Sequence, residues 1–326
     1  MRLDRIVELA TEMIADINSS DALTLYKYLE SGKMLRSKLV LSIVDTSEAY
    51  RLCAIIELIQ SASLLHDDVI DSSDLRRGKP SLNAQFGNKN AIMLGDILYS
   101  RAFFELSHFP KDIAQSLSKS VMELSVGELE DVNLEKDFNT NEKRYLDMIG
   151  HKSASLIAAS AECASLLTNG FNKQSSHDLD SIEFDGQIRE NLDSINKKDI
   201  HKLYYDYGFN LGMAFQIIDD ILDITQDSAK LGKPALSDFK SGKTTLPYIY
   251  LYHTLPKEKQ AWLQSLFKKD LDTTELQELK ALLLDSPLQQ AREKALEYGN
   301  KALAIASSLN NQKLYSIIQT MIERDF

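Results

Sequence analysis

Two five-residue stretches carry six carboxylates in one shared spacing. Asp67-Asp68-Val69-Ile70-Asp71 and Asp219-Asp220-Ile221-Leu222-Asp223 both run D-D-x-x-D, the first after Leu64-Leu65 and the second after Ile217-Ile218. Positions i and i+4 of a helix share a face, so Asp67 projects with Asp71 and Asp219 with Asp223. Like charges one turn apart repel, and the cost rises as their surroundings become apolar. A divalent cation relieves that repulsion. Hard oxygen donors without Cys or clustered His select magnesium, with manganese as a substitute, over zinc. A lone copy of this pattern is an ordinary solvated helix face; two copies, each closing an apolar helix, argue against that. An EF-hand is excluded, because neither stretch has the alternating acids, central Gly and terminal Glu of that loop.

An acidic metal site needs an anionic guest, and basic residues surround both clusters. Lys33 and Arg36 stand at the start of a predicted helix, where anions are favoured. Arg76-Arg77-Gly78 follows the first cluster by five residues, Lys152 precedes Ser153, and Lys233 and Lys243 lie in the loop after the second cluster. Arg offers phosphate a bidentate fork and Lys a point charge. The six histidines show no triad spacing; His66, beside Asp67, is a candidate to hydrogen-bond a carboxylate.

The elements that carry these residues are helices. The 326 residues include only 13 Gly and 6 Pro, about 4% and about 2% against a usual roughly 7% and 5%. So few turn-formers exclude a sandwich, barrel or propeller. All six prolines fall between helix-like stretches or at their ends. Helical spacing covers 3–17, 35–71, 90–108, 111–168 and 200–224, and resumes from 245 with breaks at Pro256 and Pro287. Loops are expected over 72–89 and 226–242. Residues 171–199 are polar and aperiodic, the pattern of a surface insertion. The expected fold is all-α, a single domain of long helices.

Composition narrows the function class. Net charge is −11, with 48 acids and 37 bases, which argues against a nucleic-acid binder. Cys53 and Cys163 lie in apolar helical runs and are expected to be reduced core residues of a cytoplasmic protein. No 18-residue apolar stretch and no signal-peptide core occur, so neither a spanning helix nor export is expected.

Taken together, these motifs resemble the trans (E-type) isoprenyl diphosphate synthases, and most the long-chain, octaprenyl-type members. The matching pieces, in family order, are Gly32-Lys33-x-x-Arg36, Gln60 where the family usually has His, the first cluster with Leu75-Arg76-Arg77-Gly78-Lys79-Pro80, Lys152-Ser153, Phe215-Gln216 with the second cluster, Gly232-Lys233, and Gly242-Lys243-Thr244-Thr245-Leu246-Pro247. They cover about residues 30–250. The resemblance implies a bundle of helices around a deep central cavity and a homodimer. It implies clusters that face each other across the cavity mouth and hold three Mg2+ on an allylic diphosphate. The metal set is then Asp67, Asp71, Asp219 and Asp223; Asp67, Asp71 and Asp219 bind directly, while Asp68, Asp220 and Asp223 act partly through water. Arg76, Lys152, Ser153, Gln216, Lys233 and Lys243 hold the allylic diphosphate. Lys33, Arg36, Gln60 and Arg77 hold isopentenyl diphosphate. The six aspartates with Lys152 and Lys243 form the implied catalytic set.

In such an enzyme product length is a question of room. Ala62 and Ser63, one turn before the first cluster, are small, which points to a long product, while Phe103 and Phe104 on the next apolar helix are candidates for the cavity floor. A long prenyl product is insoluble, so transient membrane contact at release is expected. Three alternatives stand beside this reading: a shorter-chain farnesyl or geranylgeranyl synthase, a class I terpene cyclase, and a non-catalytic helical interaction subunit. The intact second D-D-x-x-D and the presence of Lys33, Arg36 and Arg77 count against the cyclase, and six retained aspartates against the inert subunit.

Overall fold

The apolar spacing that opens the chain becomes the buried face of a first helix, α1 (Leu3–Ala15), through Ile6, Ala10, Met13 and Ile14. The computed structural model describes residues 2–174, 197–225 and 236–323. After α1 come α2 (Ser20–Tyr28), α3 (Leu35–Ile43), α4 (Ser47–Ile70), two-residue strands β1 (Leu75–Arg76) and β2 (Lys79–Pro80), α5 (Leu82–Phe86), α6 (Asn88–Leu106), α7 (Lys111–Leu134) and α8 (Glu142–Ile149). A π-helical turn (Gly150–Ala154) leads into α9 (Ser155–Gln174). The rest is α10 (Lys197–Thr225), α11 (Ser237–Ser241), α12 (Leu246–Thr254), α13 (Lys257–Leu266), α14 (Thr273–Leu283), α15 (Ser286–Ser308) and α16 (Gln312–Ile322). The all-α expectation holds.

Caps explain many of the boundaries. The Ser19, Thr46 and Ser81 hydroxyls accept from the backbone N–H of Ala22, Ala49 and Ala84, and Asp272 with Glu275 builds a capping box on α14. Pro247 and Pro287 sit in the first turns of α12 and α15, where a missing N–H costs nothing.

The described residues pack as two compact units. One comprises Met1–Arg76, Pro80–Val121 and Leu156–Gly208; the other Arg77–Lys79, Met122–Ser155 and Phe209–Phe326. In the first, α4 packs along α6 and against α1, and Leu52, Ile55, Ile56, Ile59, Leu94 and Leu98 are fully buried. Each such side chain contributes roughly 1.5–3 kcal/mol. Glu105 is buried with them, held by Arg101 at 2.6 Å and Arg51 at 3.1 Å, so its charge is paired. In the second unit α15 packs on α12 and α16, and Phe239 stacks on Tyr248 with centroids 4.4 Å apart.

Several boundaries differ from the sequence reading. The stretch 72–89 contains α5, because Ser81 and Gly87 act there as helix caps. The stretch 226–242 contains α11. The helix expected over 111–168 breaks at 135–141, where Asn139 Oδ1 accepts from Asn141 N–H and Asn141 caps α8. Helices α9 and α10 take the ends of the expected insertion; residues 175–196 lie outside the described residues, as does Lys233.

The π turn adds a residue to an otherwise α-helical run, and it carries Lys152 and Ser153. Gly127 of α7 lets that turn approach: a Cβ there would lie 2.2 Å from Lys152 N and 2.7 Å from its Cα. Helix propensity alone would favour Gly127→Ala by about 1 kcal/mol. The backbone clash opposes it and belongs at the upper end of the roughly 1–3 kcal/mol of an overpacked site. Gly127→Ala is therefore expected to lower the urea midpoint of unfolding; an unchanged or higher midpoint would show that the contact is not tight.

Candidate active site

Asp67 and Asp68 occupy the last turn of α4, and Asp71 is its C-cap. The second cluster lies in the last two turns of α10. A helix C-terminus carries the negative end of the macrodipole, so carboxylates there meet repulsion from the backbone as well as from one another. Both clusters are thus placed where a cation is most favourable.

In the first cluster the middle carboxylate is withdrawn. Asp68 is 3% exposed and takes a two-pronged bond from Arg76, whose Nε and Nη2 lie 2.7 and 2.6 Å from its two oxygens. Burial raises the Asp68 pKa despite Arg76. Burial also works against the Arg76 charge, but Asp68 more than compensates and holds that pKa above its ordinary value. The turn between β1 and β2 aims Arg76: Arg77 and Gly78 both adopt positive φ, 55° and 78°, as a two-residue hairpin turn requires. Asn83 Nδ2 and Ser73 N–H donate to the Asp68 carbonyl, closing the helix end. Asp67 and Asp71 stay partly exposed, with a carboxylate oxygen of each within 4.8 Å of the other.

The second cluster repeats the arrangement with different partners. Asp219 is exposed, whereas Asp220 is 5% and Asp223 2% exposed. Asp220 accepts from the Tyr145 hydroxyl of α8 and, at 2.9 Å, from Gln216 Nε2. Gln216 Oε1 in turn accepts from Ser153 Oγ at 2.6 Å. Burial pushes the Asp220 pKa well up, with Asp238 and Asp219 adding to it and Tyr145 and Gln216 opposing. Asp223 accepts from Ser237 Oγ at 2.9 Å and from Asp238 N–H, so here its carboxylate secures the start of α11.

The bases divide between the two units. In the second, Lys152 Nζ lies 2.6 Å from Asp131 and 2.8 Å from Glu128, and Lys243 Nζ lies 3.6 Å from the same Asp131 oxygen. In the first, Lys33 is exposed before α3, and Arg36 opens α3 with its pKa lowered to about 10 by burial against the pull of Glu57. Arg36 Nε and Gln60 Oε1 are buried with no hydrogen-bond partner among the described residues. Two unsatisfied polar atoms of this kind suit a polar ligand. Arg77, which groups with the second unit, is exposed in the hairpin turn.

Other candidates fall elsewhere. His66 Nε2 faces the Asp96 carboxylate at 3.4 Å and the Ile92 carbonyl at 3.3 Å, so its carboxylate partner belongs to α6 and not to a cluster. Ala62 is fully buried; Ser63 is half-buried and donates to the Gln60 carbonyl. Phe103 and Phe104 are 38% and 57% exposed. Phe103 stacks on Tyr99, and Phe104 meets His108 and Arg101. Tyr145, Glu128 and Asp131 were not foreseen, since their partners stand at least 21 residues away in the chain, 75 in the case of Tyr145.

Comparison with known proteins gives a consistent picture. The family model described as polyprenyl synthetase matches residues 20–184 and 187–283. The crystal structure of octaprenyl pyrophosphate synthase from Helicobacter pylori superposes with a TM-score of 0.85 at 40% identity, covering 99% of this chain and 100% of that one. Octaprenyl diphosphate synthase of Escherichia coli K12 is 28% identical over the whole of both chains. Geranylgeranyl pyrophosphate synthetase from Pyrococcus horikoshii superposes with a TM-score of 0.82 at 27% identity, covering 99% and 96%.

The raised Asp220 pKa has a signed consequence for metal-free protein. An acid whose folded pKa is raised adds stability at low pH that is lost as pH rises through that folded pKa. Asp220→Asn removes this loss. In EDTA, the stability of Asp220→Asn relative to wild type should therefore grow between pH 4 and pH 8 in denaturant titrations. A difference that shrinks with rising pH would contradict the assignment.

Proposed function

This chain belongs to the polyprenyl synthetase family and is a prenyltransferase, and from that membership we propose that it condenses isopentenyl diphosphate head-to-tail with an allylic diphosphate to give a long all-trans polyprenyl diphosphate. The observation that carries the reading is the shared layout of the two clusters: the middle aspartate is buried and held by protein donors, Asp67 and Asp71 are partly exposed with carboxylate oxygens within 4.8 Å of each other, and Asp219 is exposed.

Those three carboxylates are the proposed direct ligands of Mg2+, three ions in all, with Asp223 reached through water. Bound metal would neutralise the diphosphate leaving group. Arg76, Lys152, Lys243 and Gln216, with Lys233 beyond the described residues, hold the allylic diphosphate, and Ser153 orients Gln216. Heterolysis of the allylic C1–O bond leaves the electron pair on diphosphate. The isopentenyl double bond then attacks the C1 cation, and the new cation loses a proton to the departed diphosphate. Preorganised positive charge toward the leaving group is the main catalytic contribution. Lys33, Arg36, Gln60 and Arg77 hold isopentenyl diphosphate; the buried Arg36 Nε and Gln60 Oε1 support this.

The two units are proposed to act as one catalytic domain, each carrying one cluster. A homodimer is proposed from the apolar residues left exposed on α6, Ile92, Met93, Phe103 and Phe104. Among the described residues no helix is long and apolar enough to cross a membrane. Cys53 and Cys163 are free and buried, which supports a reducing, cytoplasmic setting.

Incubation with labelled isopentenyl diphosphate, farnesyl or geranylgeranyl diphosphate and Mg2+ should give products of roughly C30 to C50, an expectation drawn by family analogy. Chelation should abolish them, and Asp67→Ala or Asp219→Ala should cut kcat by about 100-fold or more, the scale of losing one part of a preorganised site. No chain growth by the wild type would contradict the proposal. Ser63→Phe should shorten the product; it is the better probe of length, because Ala62→Tyr would overpack a fully buried position.

A further inference from the structure

Asp220 takes a hydrogen bond from a buried tyrosine. Tyr145, on α8, is 1% exposed and its hydroxyl donates to Asp220 Oδ2. The other oxygen, Oδ1, holds Gln216 Nε2 one turn back along α10, and Gln216 Oε1 is held by Ser153 Oγ of the π turn. Two arms from one helical run therefore meet at one carboxylate: Tyr145 directly, and Ser153 through Gln216. With both amide ends engaged, the orientation of Gln216 is fixed. Asp219, the exposed carboxylate, is the residue next to this anchor.

Resting on the functional reading above, we infer that Tyr145 is a positioning residue: by fixing Asp220 it sets the presentation of Asp219 and Gln216 to metal and diphosphate, without touching either itself. Losing the hydroxyl leaves the Asp220 carboxylate with Gln216 alone. It is then free to turn toward Gln216 or toward a nearby cation, and Asp219 and Gln216 lose their common support. Outer-sphere partners of this kind change metal affinity by roughly 10–100-fold when removed.

A second buried tyrosine supplies the control. The Tyr248 hydroxyl is fully buried in the same unit, within electrostatic reach of Asp223, Asp238 and Asp220, yet has no hydrogen-bond partner among the described residues. Its removal takes away a hydroxyl near the same charges without breaking a link to Asp220.

The test compares Tyr145→Phe, Tyr248→Phe and wild type by calorimetric Mg2+ binding in the presence of an unreactive allylic thiodiphosphate, with steady-state kinetics alongside. Tyr145→Phe should weaken Mg2+ binding by about 10-fold or more and raise KM for the allylic substrate. Its kcat at saturating metal and substrate should change little. Tyr248→Phe should match wild type. In the Asp220→Asn background the effect of Tyr145→Phe should shrink, because it acts through that carboxylate. Unchanged Mg2+ affinity in a folded Tyr145→Phe would overturn the inference, as would an equal shift in Tyr248→Phe. Should Tyr145→Phe fail to fold by circular dichroism, 3-fluorotyrosine at 145 keeps the ring and strengthens the donor; a shifted Mg2+ affinity supports the inference and an unshifted one overturns it. A wild type that binds no Mg2+ and extends no prenyl chain would instead sink the functional reading, and this inference with it.

Discussion

Carboxylates at the negative end of a helix are the constraint on which the rest of this structure depends. Each D-D-x-x-D segment sets three acids against one another and against the helix dipole, in the last turns of α4 and α10. The protein meets part of that cost itself, by giving each middle aspartate its own donors. Arg76 forks onto Asp68; Tyr145 and Gln216 hold Asp220. Of the other acids, Asp67 also meets Arg76 and Asp223 accepts from Ser237 and Asp238, and an external cation would relieve the repulsion that is left. The negative charge of the chain is therefore partly a working feature, and the helices that end at these clusters are positioned by neighbours chosen to tolerate it.

The π turn is the second device. It inserts Lys152 and Ser153 into a helical run whose upstream turn carries Tyr145, so one element supplies a lysine, a hydroxyl and a phenol to its surroundings. Lys152 and Lys243 both engage Asp131, which keeps two cations close together before any anion arrives. On the proposed function, a diphosphate taking the place of this carboxylate would exchange one anionic partner for another. Gly127 makes the turn possible by leaving its backbone room.

Much of this was legible in the sequence where the signal was local. The i, i+4 aspartates, the apolar stripe of α1 and the prolines at helix starts all follow from spacing alone. Other features left no local trace. Tyr145 and Asp220 are 75 residues apart, and nothing in either neighbourhood announces the pair. The π turn contains no proline and only one glycine, Gly150, so a periodic reading passes through it. Ser81 and Gly87 look like loop residues but cap α5 and precede α6, because capping and turn chemistry use the same residue types. Phe103 and Phe104 have the composition of a core, yet their faces remain partly exposed; hydrophobicity alone does not say which apolar face a helix buries.

The most direct test of this division of labour is a crystal structure with Mn2+ and an unreactive allylic thiodiphosphate, read by anomalous scattering. The account predicts metal peaks at coordination distance from Asp67, Asp71 and Asp219, with Asp68 still on Arg76 and Asp220 still on Tyr145 and Gln216. Metal bound directly by Asp220, with the Tyr145 hydroxyl left behind, would contradict it.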